Sequence, residues 1–158
     1  MAKAKSKVEF VKTPLKDLVK EKGITISLEE LECDVTTWAP GTYKLTILGI
    51  FSANRGEIGW YAGNCRWLMT LLSRGSVAGA SATFTAECTF GLYLNSPTPG
   101  HCNLGGLYFT ETSLNPDGFQ HAKVFCLTDT KWIIAWEDWC GGGDRDYNDY
   151  ILLLEKIG

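Results

Sequence analysis

The sequence predicts an all-β domain, an antiparallel β-sandwich of jelly-roll type carrying one or two short helices. Three observations lead there. Short apolar runs recur along the chain, some alternating (Tyr43, Leu45, Ile47) and some continuous ("YILLL"). Turn-rich stretches separate them, among them Pro40-Gly41, "LNSPTPGHCNLGG" and "SLNPDGFQ". Helical spacing is confined to two short segments. Strands punctuated by Gly, Pro and Asn at such intervals are the pattern of sandwiches and jelly rolls. A chain of 158 residues suits one domain and can bury a core without covalent staples.

The elements follow in order. Residues 1–22 form a basic arm with seven lysines against three acids (Glu9, Asp17, Glu21), and 23–158 form the sandwich. Within the arm, Thr13 to Gly23 reads as a short helix. Thr13 caps it, Pro14 suits the first helical position, Gly23 stops it, and Leu15, Leu18 and Val19 share a face. Ile24, Ile26 and Leu28 then alternate as in a strand. Thr42 to Asn54 reads as a core strand that turns apolar on both faces near Leu48 to Phe51. "NCRWLMTLLSRG" places Trp67, Leu68, Leu71 and Leu72 at helical spacing, ended by Gly75, and predicts the second helix. "SATFTAECTFGLYLN" reads as one strand, with Phe84, Ala86, Cys88 and Phe90 on one face. "LYFTET", "HAKVFCLT", "KWIIAWED" and "YILLLEKI" complete the strands.

Net charge is −3, unevenly spread: the arm carries +4 and the remainder −7. A basic arm on an acidic body has three uses: binding nucleic acid or an anionic lipid surface, solubility, or docking on a neighbouring acidic subunit. No nucleic-acid partner is expected. No apolar run approaches the ~20 residues that cross a bilayer, and "MAKAKSKVEFVK" lacks the apolar core of a signal peptide. Six cysteines (33, 65, 88, 102, 126, 140) are widely spaced with no CxxC pair, which argues against zinc fingers and thioredoxin-like chemistry. At least one disulfide is expected, as in an oxidising compartment.

The chemistry concentrates in "WEDWCGGGDRDYNDY". Glu137, Asp138, Asp144, Asp146, Asn148 and Asp149 fall within thirteen residues, around Gly141, Gly142 and Gly143. Carboxylates so close repel one another unless protons or a cation intervene. Oxygen donors with little histidine favour a hard ion, Ca²⁺ before Mg²⁺. The glycines let the backbone turn tightly towards it. An EF-hand is excluded, because Asp149 stands where that loop needs glycine and "YILLL" reads as a strand. The ion-free alternative is a solvated acidic hairpin with Asx-turns.

"LNPDGFQHAKVF", followed about twenty residues later by "AWEDWCGGGDRDYNDYILLLEKI", resembles a domain family of unknown function. That family recurs in secreted and surface proteins of bacteria, often beside adhesin-type repeats or a Pro-Glu-Pro sorting signal. The resemblance is close over 107–157, looser in "LGIFSANRGEIG" and "FGLYLN", and slight over the first 40 residues. It implies a β-rich extracellular module whose acidic loop binds calcium through Glu137, Asp138, Asp144, Asp146, Asn148 and Asp149. Asn115, Asp117 and His121 match the other segment and are expected as additional ligands or supporting groups, His121 as a hydrogen-bond partner. Cys140 inside the motif departs from the family pattern.

The expected function is therefore a non-enzymatic, calcium-binding structural or adhesive module outside the cell, self-associating or binding a surface protein or glycan. The alternative is a calcium-dependent carbohydrate- or surface-binding module, with Trp38, Trp60 and Trp67 weighed both as sugar-stacking rings and as core. A hydrolase is disfavoured. Glycosidases set two carboxyls across a cleft, whereas these share one loop. No nucleophile elbow, phosphate loop or HExxH stretch occurs.

Overall fold

A computed structural model describes residues 31–50, 56–62, 68–96, 107–115, 118–137 and 149–158. The expected helix at 13–23, the strand at 24–28 and the boundary at 22/23 lie outside these residues. Ten strands are described: β1 (Glu32–Cys33), β2 (Gly41–Ile50), β3 (Glu57–Ala62), β4 (Leu68–Leu72), β5 (Ser81–Ala86), β6 (Phe90–Asn95), β7 (Leu107–Phe109), β8 (Ala122–Thr128), β9 (Lys131–Trp136) and β10 (Tyr150–Lys156). They form a six-stranded sheet, β1-β8-β9-β10-β2-β5, and a four-stranded sheet, β4-β3-β6-β7. Every pairing is antiparallel. The fold is the expected all-β sandwich.

Alternation along each strand sends one set of side chains between the sheets. Tyr43, Leu45, Ile47, Ile134, Trp136, Leu152 and Leu154 from the larger sheet meet Ile58, Phe90, Leu92, Leu94 and Tyr108 from the smaller. Phe90 is fully buried at the centre, its ring 4.9–5.9 Å from those of Trp38, Tyr43, Trp60 and Phe84. Stacked and edge-on pairs of this kind add to the burial of apolar area. Trp38 and Trp60 are thus core rings: Trp38 is buried and bridged to Phe90 by backbone hydrogen bonds, and Trp60 packs on the same cluster. Trp67 lies outside the described residues.

Two expectations are corrected. The helix read at 64–75 is instead β4 over Leu68–Leu72, paired to β3. It is an edge strand with Leu68 and Met69 exposed, so its apolar residues do not alternate with burial and mimic helical spacing. The single strand read at 81–95 is two, β5 and β6, in different sheets. Phe84, Ala86 and Phe90 all enter the same core from opposite sides. The apolar pattern therefore runs through the crossing at 87–89 without a break.

The six-stranded sheet is apolar on its second face as well, where Leu48, Phe125, Ile133, Ala135, Ile151 and Leu153 form a separate cluster. Leu48 is the extra residue of a bulge, since Ile151 pairs with Gly49 and Leu152 with Ile47. The bulge shifts the alternation of β2, which is why its apolar run covers both faces. Among the described residues a disulfide, Cys33–Cys126, ties β1 to β8 with 6.1 Å between Cα atoms. The segment Thr112–Leu114 makes a single 3₁₀ turn.

Candidate metal and ligand site at the loop pole

The register of the central strands gathers several chain segments at one end of the sandwich. Tyr150 at the start of β10 pairs with Trp136 at the end of β9 and with Ile50 at the end of β2. Ala122 at the start of β8 also pairs with Trp136. The ends of β2 and β9 and the starts of β8 and β10 therefore lie together at this pole. Tyr150 Oη accepts a 2.7 Å hydrogen bond from Gly56 N, which anchors the start of β3 there.

Of the six acid and amide residues expected to bind an ion, Glu137 and Asp149 are described, and they flank the loop. Glu137 directly follows β9 and Asp149 directly precedes β10. Asp149 N donates to Trp136 O at 3.0 Å, which closes the base of the loop. Asp138, Asp144, Asp146 and Asn148 lie outside the described residues, as does Asp117. Among the described residues no three of His, Cys, Asp and Glu come together.

Glu137 is 0% exposed. Its backbone is held from the side by His121: Glu137 N donates to His121 O at 2.8 Å, and His121 Nδ1 lies 2.7 Å from Glu137 O. His121 is also fully buried, stacked on Tyr108 with ring centroids 3.6 Å apart and edge-on to Phe119 at 5.0 Å. Its ring is thus held by two aromatic neighbours, and the nitrogen near Glu137 serves the backbone. The sequence signalled His121 but not Tyr108, whose inward position follows only from the pairing of β7 with β6.

Asn115 prepares the approach to His121. Its Oδ1 accepts from Phe109 N at 2.7 Å, and its Nδ2 donates to Phe109 O at 3.3 Å and to Phe119 O at 2.8 Å. Three backbone groups are satisfied by one buried amide, which clamps β7 to the run entering β8. Gly118 takes φ +68, a left-handed conformation that glycine adopts without strain. The Asn-Pro-Asp-Gly-Phe-Gln-His segment therefore sets His121 beside the first residue of the acidic loop. These two motifs, far apart in sequence, meet at the Glu137–His121 pair.

Other carboxylates sit on the outer face of the four-stranded sheet. Tyr93 and Tyr61 lie over Gly59 and Gly91, where a Cβ would collide with their rings. Tyr61 Oη donates to Glu111 Oε1 at 2.8 Å. Thr70 Oγ1 donates to Glu57 Oε2 at 3.0 Å and lies 3.0 Å from Tyr93 Oη. Burial, then the Glu111 carboxylate, pushes the Tyr61 hydroxyl far above the ordinary phenol range. Tyr93 is raised chiefly by burial, with Glu57 adding to it, and Tyr43 by burial.

No curated protein matches this chain. Among solved structures, the Chromobacterium violaceum lectin CV2L, in complex with α-methyl-fucoside, is similar at 18% identity and TM-score 0.44, over 78% of this chain and 95% of that one. The C-terminal domain of the BC2L-C lectin from Burkholderia cenocepacia is similar at 17% identity and TM-score 0.47, over 80% and 99%. The Ralstonia solanacearum high-affinity mannose-binding lectin is similar at 19% identity and TM-score 0.45, over 78% and 95%. Similarity at this level carries no inference about ligands. Residues 84–156, which span the Asn-Pro-Asp-Gly segment and the acidic loop, match a family described as a domain of unknown function, DUF4114.

Proposed function

We propose that this domain is a non-enzymatic, calcium-binding adhesive module of the cell exterior, and that its loop pole takes an oxygen-rich ligand of the surface-carbohydrate class. The supporting observation is Glu137, a carboxylate wholly removed from solvent at the mouth of a loop with four further acids and an amide. Burying an ionised carboxylate costs several kcal/mol, on the order of what only close positive charge and hydrogen bonds offset. Glu137, Asp138, Asp144, Asp146, Asn148 and Asp149 supply oxygen donors suited to Ca²⁺, which takes about six to eight of them. Backbone carbonyls and water complete such a shell, and sugar hydroxyls are donors of the same kind. With Trp38 and Trp60 in the core, a glycan would be held through the ion and the loop, not by stacking on those rings.

The test is thermal unfolding of chelator-treated protein with and without millimolar Ca²⁺, beside Asp144→Asn/Asp146→Asn, followed by retention on immobilised monosaccharides. A ligand of the native state raises its stability by mass action. Calcium is expected to raise the midpoint by several degrees in the wild type and not in the variant, with sugar retained only when calcium is present. An ion-free protein indifferent to calcium would end the metal proposal. Calcium stabilisation with no sugar retained would leave a structural ion and remove the carbohydrate ligand.

A further inference from the structure

The second face of the six-stranded sheet is as buried as the first. Phe125, Ile133, Ala135 and Ile151 on this face are 0–1% exposed. The described side chains packed against the cluster are Leu31, Phe119 and Leu127, each only partly buried. The cluster runs across four adjacent strands, β8, β9, β10 and β2. At strand spacings of ~4.8 Å that is a width of about 14 Å, more than three peripheral side chains cover.

We propose that residues 1–30 of the same chain cover this face, with the apolar side of the Thr13–Gly23 segment as the principal contact. The chain itself leads there. Leu31 already packs on the cluster, and the next residue opens β1, which is bonded to β8 at the margin of the face. Whatever precedes Leu31 therefore enters from this side of the sheet. As a helix, Thr13–Gly23 offers Leu15, Leu18 and Val19 on one side and Lys16 and Lys20 on another, with Lys22 in its last turn, where its long stem can carry the charge outward. Nine helical residues, 14–22, extend about 13.5 Å, a match to the width of the cluster. The eight-residue link from Gly23 to Leu31 reaches up to ~26 Å, enough to return the segment over the sheet. A lysine-rich segment so placed is part of the core, not a free tail.

Native-state digestion of the full chain with a lysine-specific protease tests this. Cleavage after Lys16, Lys20 and Lys22 is expected to be slower than in the urea-unfolded chain by about a hundredfold or more, because it awaits opening of the docked segment. In Leu15→Asp/Leu18→Asp the same bonds should be cut rapidly, with increased binding of a hydrophobic dye. If the native chain is trimmed at once past Lys22, with its thermal midpoint unchanged, the segment does not cover the face. If protection disappears on dilution while the chain stays folded, the occupant is a second copy, and the proposal is equally overturned.

Discussion

Two groups of acids show how this sandwich handles negative charge. Glu57 and Glu111, on the smaller sheet, keep partial access to water and accept hydrogen bonds from Thr70 and Tyr61. Arg74 Nε approaches Glu57 Oε1 at 3.8 Å, with both side chains partly exposed. Such acids are stabilised locally, and each contact is worth little, because solvent screens what it also solvates. Glu137 stands at the other extreme, sealed from water beside a buried histidine and at the start of a dense acidic loop. A carboxylate there needs a strong compensating charge. The same residue type is a surface decoration in one place and, under the proposed function, a metal ligand in the other.

That contrast is most sharply tested by paired substitutions. Glu137→Ala is expected to cost about 3 kcal/mol or more in calcium, as for loss of one partner of a buried charge interaction, and to abolish the calcium response. Glu57→Ala should cost no more than about 1 kcal/mol and leave that response intact. Denaturant unfolding of both variants, each with calcium and with chelator, checks this. Equal losses in the two would erase the distinction.

The clamp behind His121 gives the next effect. Asn115→Ala leaves backbone groups of Phe109 and Phe119 without their partner, at a cost of about 1–3 kcal/mol. Because the clamp also places His121, calcium affinity should weaken in the folded variant. Asn115→Asp keeps the acceptor for Phe109 N but sets a buried carboxylate oxygen against the Phe109 and Phe119 carbonyls, so it should cost at least as much as the alanine. Calorimetric titration of calcium into each variant measures the affinities.

The smallest effect concerns pH. Tyr61 has a folded-state pKa raised above its unfolded value of ~10 by burial and Glu111. Its stabilising contribution is complete below pH ~10 and is lost as pH rises beyond it, because the unfolded phenol ionises first. Tyr93 and Tyr43 act in the same direction. Tyr61→Phe should make the alkaline decline shallower while leaving the calcium response unchanged. An unaltered alkaline profile in that variant would show that the Tyr61–Glu111 contact carries no linkage.

The strands that carry the pole were legible in the sequence. "HAKVFCLT", "KWIIAWED" and "YILLLEKI" are bounded by turns and too apolar to lie anywhere but in the sheet, and they are β8, β9 and β10. What escaped notice depends on partners that one segment cannot reveal. β4 is an edge strand whose exposed Leu68 and Met69 follow no alternation, and the β5–β6 crossing is silent because both strands face one core. The acidic loop was visible as a cluster, yet nothing in "WED" separates Glu137 from Asp138. The burial of Glu137 comes from its place at the end of β9 against His121. Tyr108 likewise had no signature, since only the stacking of β7 over the entry to β8 brings it to the histidine.

Direct calcium binding tests the central claim most closely. Equilibrium dialysis of chelator-treated protein against radiolabelled Ca²⁺, for the wild type, Glu137→Gln and Asp144→Asn/Asp146→Asn, separates binding from stability. The account predicts saturable binding by the wild type and its loss or severe weakening in both variants, each shown to be folded. Wild-type protein that binds no calcium, or a Glu137→Gln variant that binds as tightly as wild type, would contradict it.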